Sequence, residues 1–243
     1  MDDYEPMMSF GRESAEIYDD APRGDEAAAV AFLEGLAGAG PALELAIGTG
    51  RIALPLAAHG VRVDGIDLSP EMVAQLRQKP GGEAIAVTMG DFAEVAVAGS
   101  YRLIYIVYNT LFNLLSQEQQ VRCFCNVAAH LTADGAFVVE AFTPGYLHRL
   151  RDGQYVDAEA VGTDEVWLDV GRHDAVAQRL DETHVRLTGA GVRLYPIVTR
   201  YAWPAELDLM ARIAGLRLKE RFSGFEREPF TSASTLHVSV YGR

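Results

Sequence analysis

A short apolar run, residues 42–47, leads into a turn that carries two glycines, Gly48 and Gly50. A helical pattern of apolar residues follows this turn at once. Backbone N–H groups at a strand-to-helix turn can approach a ligand closely, because glycine has no side chain to obstruct it. Glu44 places a carboxylate inside the strand, just before the turn. The stretch therefore predicts a ligand site with an acid close to it.

A second carboxylate, Asp67, follows the next strand pattern, about 20 residues after the turn. At this distance an acid can accept hydrogen bonds from the two hydroxyls of a ribose. The turn and Asp67 together fit the relaxed fingerprint of a dinucleotide site. On these residues alone, a nicotinamide dehydrogenase, a methyltransferase and a flavin protein fit equally well.

Three further features separate these alternatives. A carboxylate at Glu44 would repel a pyrophosphate, but it would favour a ligand with an ammonium and a sulfonium group. Gly90, Asp91 and Phe92 follow the third strand pattern, where the acid can accept from an adenine amino group and the ring can lie on the base. The third feature is a C-terminal pair of β patterns, which adds a reversed strand to a parallel sheet.

Strand and helix patterns alternate along the first part of the chain, after a short helix or arm at residues 10–22. The predicted strands are residues 42–48, 61–68, 84–90, 101–109 and 136–142. The predicted helices are residues 25–38, 51–60, 69–79 and 116–131, the last closed by residues 133–135. This alternation predicts an α/β fold with a doubly wound, mostly parallel sheet and right-handed crossovers.

The alternation of strands and helices stops after Pro144, and alternating β patterns occupy residues 165–171, 177–188 and 192–203. We therefore expect a core of residues 1–144 and 202–243, with an antiparallel β insertion at residues 145–201 that covers the substrate site. A helix at residues 204–215 and an antiparallel pair at residues 216–225 and 234–243 close the chain.

Composition narrows the classes of partner. The net charge of −13 opposes binding to nucleic acid or to an anionic membrane, since both are polyanions. No apolar run approaches the length of a membrane span, and the acidic N-terminus lacks a secretory signal pattern, so we expect a cytoplasmic protein.

The sequence predicts neither a disulfide nor a metal site. Cys123 and Cys125 are two apart in a helical pattern and are poorly placed for a disulfide. No close cluster of acids and histidines predicts a metal.

Four segments, LELAIGTGRIALPLA, VDGIDLSPEM, MGDF and IYIVYNTLFNL, resemble in order and spacing the motifs of class I S-adenosylmethionine-dependent methyltransferases. The chain also resembles the small-molecule branch of this family, which includes amino-sugar N-methyltransferases and related natural-product enzymes. Abundant alanine, and arginine in large excess over the two lysines, Lys79 and Lys219, are typical of a bacterial protein. The resemblance implies a seven-stranded Rossmann-like sheet, S-adenosylmethionine as cofactor and S-adenosylhomocysteine as product. It also implies a small-molecule acceptor, no metal, and a monomer or homodimer.

The resemblance further implies roles for individual residues. Glu44 would orient the methionine amino group, and Asp67 would hold both ribose hydroxyls. The residues implied to contact the cofactor are Tyr18, Glu44, Ala46, Gly48, Gly50, Asp67, Leu68, Met72, Gly90, Asp91, Phe92, Tyr108 and Asn109. Ala46 stands where the family more often has glycine. Tyr18 would lie on an N-terminal arm that closes over the cofactor.

Methyl transfer from a sulfonium is an in-line displacement, so alignment and exclusion of water are the main tasks of the enzyme. The catalytic candidates are Tyr18, Tyr108, Phe112 and Asn113, and the substrate-binding candidates are Phe112, Arg149 and Tyr201. Relatives that methylate amino sugars often place a histidine where this chain has Asn113. His148, His173 and His184 belong to the insertion and could face the pocket instead.

An amine nitrogen is the favoured acceptor, and it must be neutral to attack. A phenol or hydroxyl oxygen is the alternative, and it would make a His or Asp base more important. Two other classes stay open at this point. One is an NAD(P)-dependent oxidoreductase, and the other is a protein that binds the cofactor without catalysis.

Overall fold

Alternating strands and helices form the first part of the computed structural model, which describes residues 1, 4–20 and 23–243. Pro22, the predicted end of the N-terminal helix, lies outside these residues. The strands are β1 (Ala42–Leu45), β2 (Val63–Asp67), β3 (Ala86–Met89), β4 (Tyr101–Ile106) and β5 (Leu131–Phe142). The helices are α1 (Arg12–Ile17), α2 (Glu26–Ala37), α3 (Ala53–Ala58), α4 (Pro70–Gln78) and α5 (Gln117–His130).

Four long strands then follow one another: β6 (Gln154–Val161), β7 (Glu165–Asp174), β8 (Arg179–Thr188) and β9 (Gly191–Arg200). They form an antiparallel sheet in sequence order. The chain ends with α6 (Pro204–Ile213), β10 (Arg217–Phe222) and β11 (Leu236–Gly242). We call the four-stranded sheet the insertion sheet.

The main sheet has seven strands in the order β10-β11-β5-β4-β1-β2-β3. Strand β11 runs antiparallel to both neighbours, and the ladders among β1 to β5 are parallel. This confirms the predicted fold class: a doubly wound α/β sheet with a reversed C-terminal strand and a β-rich insertion. Within the described ranges, no helix combines the length and apolarity needed to cross a bilayer.

Apolar side chains cover both faces of the main sheet. Leu33 of α2 and Leu56 of α3 pack on one face, with Tyr105 of β4. Phe124 of α5 and Leu207 of α6 pack on the other face. Because both faces are covered, the central strands are buried along almost their whole length, as parallel strands usually are. The carboxyl ends of these strands then form the edge at which ligands bind in open α/β sheets.

Two details differ from the sequence prediction. Strand β5 begins at Leu131, directly after α5, because residues 132–135 bulge out of the ladder between the pairs Tyr101–Leu131 and Leu103–Ala136. The second detail is β6, which the sequence analysis missed. Its side chains are exposed almost throughout, so its sequence shows no buried face. Its ladder with β7 defines it as a strand.

A polar cluster joins the insertion sheet to the core. Gln120 of α5 donates to the backbone oxygen of Arg200 at 2.7 Å and accepts from the Arg200 guanidinium at 2.7 Å. The same guanidinium pairs with Glu206 of α6 at 2.8 Å. All three side chains are largely shielded from water. Arg200 therefore holds the last strand of the insertion sheet against two core helices.

Removal of the Arg200 cation should destabilise the fold strongly. Arg200→Met removes the cation that pairs with Glu206 and leaves the amide oxygen of Gln120 without its donor, and we expect a loss of about 3 kcal/mol in the free energy of unfolding by urea titration. Arg193→Met is the matched control, because Arg193 forms an exposed pair with Glu13. That control should lose less than about 1 kcal/mol. Equal losses in both variants would contradict the role of Arg200.

Candidate functional site

A cavity of about 110 Å³ lies at the carboxyl ends of the parallel strands. Many of its lining residues were singled out from the sequence: Tyr18, Ala46, Gly48, Asp67, Leu68, Met72, Asp91, Phe92 and Asn113. Six others were not: Met7, Phe10, Ser69, Thr110, Leu114 and Gln119. We call this the first cavity.

Asp67 joins the glycine turn to the start of α4. Its two carboxylate oxygens accept from the backbone N–H of Gly48 at 2.6 Å and of Ser69 at 2.8 Å. Each oxygen keeps a further lone pair, so the group can also accept from two ligand hydroxyls. Burial raises the pKa of this carboxyl, although the backbone donors oppose the shift. The arrangement suits the diol of a ribose.

The glycine turn requires a left-handed backbone. Gly50 has φ 78°, and a Cβ there would lie 2.3 Å from Cδ1 of Leu76. Gly48 has φ 54°, and a Cβ there would meet Met72 at 3.2 Å. Ala46 also has a positive φ, 57°, which costs a residue with a Cβ about 1 kcal/mol. The departure from glycine at Ala46 is therefore accommodated with some strain.

An apolar slot with an acid at its edge lies beyond Asp67. Leu68 is 47% exposed, an unusual state for an apolar side chain at the end of a central strand, and it lines the first cavity with Phe92. Met72 is buried beside them. Asp91 accepts from the N–H of Ala93 at 2.8 Å, which fixes the turn after β3. A flat heterocycle with an exocyclic amine fits such a slot.

Glu44 lies beneath the turn and is not among the residues that line the first cavity. It is 3% exposed and accepts from the Tyr105 hydroxyl at 2.9 Å. Burial raises the pKa of Glu44 to about 8, and the nearby Asp67 adds to the shift. The Glu44 carboxyl is therefore mostly protonated at neutral pH. Its predicted contact with a methionine amino group stays a prediction.

Tyr108 and Asn109 follow β4 in a left-handed conformation, with φ 59° and 62°, and Tyr108 is not among the lining residues of the first cavity. Glu140 of β5 accepts from the N–H of Tyr108 at 2.8 Å and from Arg23 at 2.6 Å. The Arg23 guanidinium lies 4.2 Å from the Tyr108 ring centroid, and that of Arg51 lies 5.5 Å from it. The sequence analysis missed this Arg23–Glu140 pair, since its members are 117 residues apart.

The N-terminal arm lies across the glycine turn. Asp19 pairs with Lys79 at 2.5 Å and accepts from the Thr49 hydroxyl at 2.8 Å. The Arg51 guanidinium donates to the backbone oxygen of Tyr18. These contacts bring Tyr18 over the first cavity. Burial raises the pKa of the Tyr18 hydroxyl, so it stays protonated.

The short helical turn Thr110–Asn113 gives its residues opposite roles. Thr110 and Asn113 line the first cavity, whereas Phe112 is fully buried and packs on Phe142 with ring centroids 5.1 Å apart. Phe112 was expected in the active-site lining, but it lies in the core, because residues one or two apart on a helical turn point in different directions, whereas Thr110 and Asn113, three apart, share a face.

Other predicted residues also lie away from the first cavity. Arg149 is exposed at the end of a short helical turn. Tyr201 is fully buried, and its hydroxyl contacts His173 at 2.9 Å and His148 at 3.3 Å. Gly50, Gly90 and Asn109 support the cavity through backbone or neighbour contacts and are not among its lining residues. Asn109, for example, accepts from the N–H of Phe142 at 2.6 Å.

A second cavity, of about 610 Å³, lies between the arm and the insertion sheet. Phe10 and Tyr18 line both cavities, so the two meet at these rings. Trp167 and Tyr195 form a stacked aromatic pair on its sheet side, with centroids 5.6 Å apart. The charged groups that line it are Asp20, Glu159, Glu165, His184 and Arg186.

Comparison with known proteins shows that the chain is similar to methyltransferases. A family model described as a methyltransferase domain matches residues 42–135. The structure of the CcbJ methyltransferase from Streptomyces caelestis is 38% identical with a TM-score of 0.93, and the match covers 98% of this chain and 99% of that one. Cypemycin N-terminal methyltransferase from Streptomyces sp. is 25% identical over 201 residues, which are 83% of this chain and 82% of the relative.

A further relative is similar over a shorter stretch. It is the dTDP-3-amino-3,6-dideoxy-alpha-D-glucopyranose N,N-dimethyltransferase of Streptomyces fradiae, 29% identical over 156 residues. That match covers 58% of this chain and 60% of the relative.

The buried Glu44 should make stability depend on pH. Between the ordinary pKa of 4.5 and the folded value of about 8, the native chain holds a proton that the unfolded chain has lost. The free energy of unfolding should therefore fall as pH rises through this window, by up to about 1.4 kcal/mol per pH unit from this group. Urea titrations at several pH values between 5 and 8 measure this slope.

Glu44→Gln is the control for this prediction, because it keeps an acceptor for Tyr105 and removes the titrating group. The difference in slope between the two proteins isolates Glu44, since all other titrating groups are shared. Parallel slopes would show that Glu44 is ionised in the folded protein.

Proposed function

The chain belongs to the S-adenosylmethionine-dependent methyltransferase family, and from this premise we propose that its methyl acceptor is an amine nitrogen of a small molecule. The cofactor supplies a methyl group on a sulfonium, and S-adenosylhomocysteine is the product. The observation that carries the proposal is the acidic second cavity, which meets the first cavity at Phe10 and Tyr18.

The lining of the first cavity offers groups that would suit the cofactor. Asp67 would accept from the ribose hydroxyls, because both its oxygens keep free lone pairs beside their backbone donors. Leu68 and Phe92 would enclose the adenine, and Asp91 would lie near its amino group. The glycine turn would let the backbone approach the methionine portion. The arm, held by Asp19, would close this cavity to water.

The second cavity has the charge expected for a cationic acceptor. Arg186 pairs with Glu165 at 2.6 Å, which leaves the carboxylates of Asp20 and Glu159 as an excess of negative charge. An ammonium group is attracted to such a site, and the stacked pair of Trp167 and Tyr195 offers aromatic faces to a cation or an apolar ring. A phenolate or a carboxylate-rich acceptor would be repelled.

The insertion, residues 145–201, would thus form the acceptor side of the active site, and the core would form the cofactor side. Two named relatives act on amines, namely the N-terminal methyltransferase and the amino-sugar dimethyltransferase. Both support nitrogen as the nucleophile. Alignment of the nitrogen with the methyl carbon and sulfur, in a site without water, would supply most of the rate.

Transfer assays test this proposal directly. The purified chain is incubated with S-adenosylmethionine and one of three amines: a 3-amino-3,6-dideoxyglucoside, triglycine or benzylamine. Matched phenols and alcohols serve as controls. We expect N-methylation of at least one amine, detected by mass spectrometry together with S-adenosylhomocysteine. Methylation of oxygen acceptors alone would contradict the proposal.

A second experiment tests the position of the cofactor. Asp67→Ala should weaken S-adenosylmethionine binding about tenfold or more by calorimetry, because charged hydrogen bonds to the ribose are lost. Asp134→Ala, at an exposed acid distant from the cavity, is the control and should bind as the wild type does. Near-wild-type affinity of a folded Asp67→Ala protein would place the ribose elsewhere.

A further inference from the structure

Two facing side chains on the insertion sheet form a hydrogen-bonded pair beside the second cavity. His184 of β8 and Asp169 of β7 are directly opposite in the antiparallel register. Nδ1 of His184 lies 2.5 Å from Oδ1 of Asp169, and both side chains are partly buried. His184 lines the second cavity. A histidine held by a carboxylate is the arrangement of a positioned base.

We propose that His184 is the catalytic base that deprotonates the ammonium form of the acceptor, and that Asp169 is its positioning residue. This inference rests on the proposed transfer to an amine nitrogen. It assigns the base to the insertion sheet and not to the loop after β4, where Asn113 lines the first cavity. An amide side chain at Asn113 has no proton-accepting nitrogen at neutral pH.

The other five histidines are engaged elsewhere. His148 and His173 contact the buried hydroxyl of Tyr201. His130 meets two backbone oxygens, those of Asn126 and Val97, through its two ring nitrogens. The remaining two lie far from either cavity lining: His59 pairs with Glu34, and His237 is buried beside Ser239. Among the cavity linings described above, His184 is therefore the histidine in place for proton transfer.

The hydrogen bond to Asp169 defines the useful nitrogen. Nδ1–H donates to Asp169, so Nε2 carries the lone pair that can accept a proton. The hydrogen bond with Asp169 is the main cause of a raised pKa of His184, and burial opposes it. The charged and titratable groups facing this ring are Asp169 of β7, Glu159 of β6, Tyr195 of β9, Glu182 and Arg186 of β8, and Asp20 of the arm.

The step balances without any further reactant. The ammonium gives one proton to Nε2 of His184, and its nitrogen recovers a lone pair. This lone pair forms the bond to the methyl carbon while the carbon–sulfur bond breaks, and the bond electrons stay on sulfur. His184 then returns its proton to solvent. Acids in the second cavity favour the ammonium on arrival, so a base is needed before the nitrogen can attack.

The same residues raise one competing interpretation. Ligand atoms of Glu159, Asp169 and His184 lie within 4.8 Å of one another, a cluster that the sequence analysis did not find. A cation there would take the place of the proton on Nδ1. The 2.5 Å contact between His184 and Asp169 is accounted for by a hydrogen bond alone.

The test uses His184→Asn, because the amide of asparagine can still donate to Asp169 but cannot accept a proton. With the amine that the wild type methylates best among the three named above, we expect kcat at pH 7 to fall about 100-fold or more. The affinity for S-adenosylmethionine should stay unchanged, and the rate should recover at high pH, where the amine is neutral in solution. His173→Asn is the control and should keep the wild-type rate.

The variant Asp169→Asn distinguishes a role of Asp169 in positioning His184 from a purely structural role, because only the former changes the pH profile of kcat. Loss of the carboxylate lowers the pKa of His184, so the acidic limb of the kcat profile should move to lower pH than in the wild type.

A wild-type kcat in His184→Asn at pH 7 would overturn the base assignment while the proposed function stands. Activity lost to a chelator and restored by Mg²⁺ would also overturn it. A wild type that methylates no amine would overturn the proposed function and this inference together.

Discussion

The carboxylate of Asp67 is the link on which the first cavity depends. It binds the N–H groups of Gly48 and Ser69, and so it fixes the turn after β1 relative to the start of α4. Ser69 then caps α4 by accepting from Met72 at 3.1 Å, and its hydroxyl also donates to the backbone oxygen of Phe10 on the arm. One buried acid thereby positions the turn, the helix and the arm that closes over them.

Local patterns were sufficient to predict most of this region from sequence. Helical and strand periodicity placed β1 to β5, and the glycine spacing with Asp67 identified the carboxyl edge of the sheet. These signals are local. Periodicity depends on residues that are neighbours within one element, and the spacing from the glycines to Asp67 depends on a single crossover of standard length. The reversed strand β11 was predicted from the last pair of β patterns, and the seven-stranded sheet was implied by the family resemblance.

Side-chain direction and distant pairs could not be predicted in this way. Phe112 and Asn113 are adjacent, yet one is in the core and the other in the first cavity. The Arg23–Glu140 pair and the His184–Asp169 pair join residues on different elements. A periodic pattern within one element does not indicate which charged side chain of another element it will contact. Strand β6 was missed for a related reason: its side chains are exposed on both faces, so its pattern contains no buried side.

Two buried acids near a glycine turn are costly to ionise, because burial disfavours the charged form and raises the pKa of both Glu44 and Asp67. Their presence is easier to understand if the ligand carries positive charge. A sulfonium and an ammonium nearby would lower these pKa values, so part of the desolvation cost would be recovered on binding. The free protein thus holds acids whose ionisation favours one kind of cofactor, and the same electrostatic reasoning disfavours a pyrophosphate at this turn.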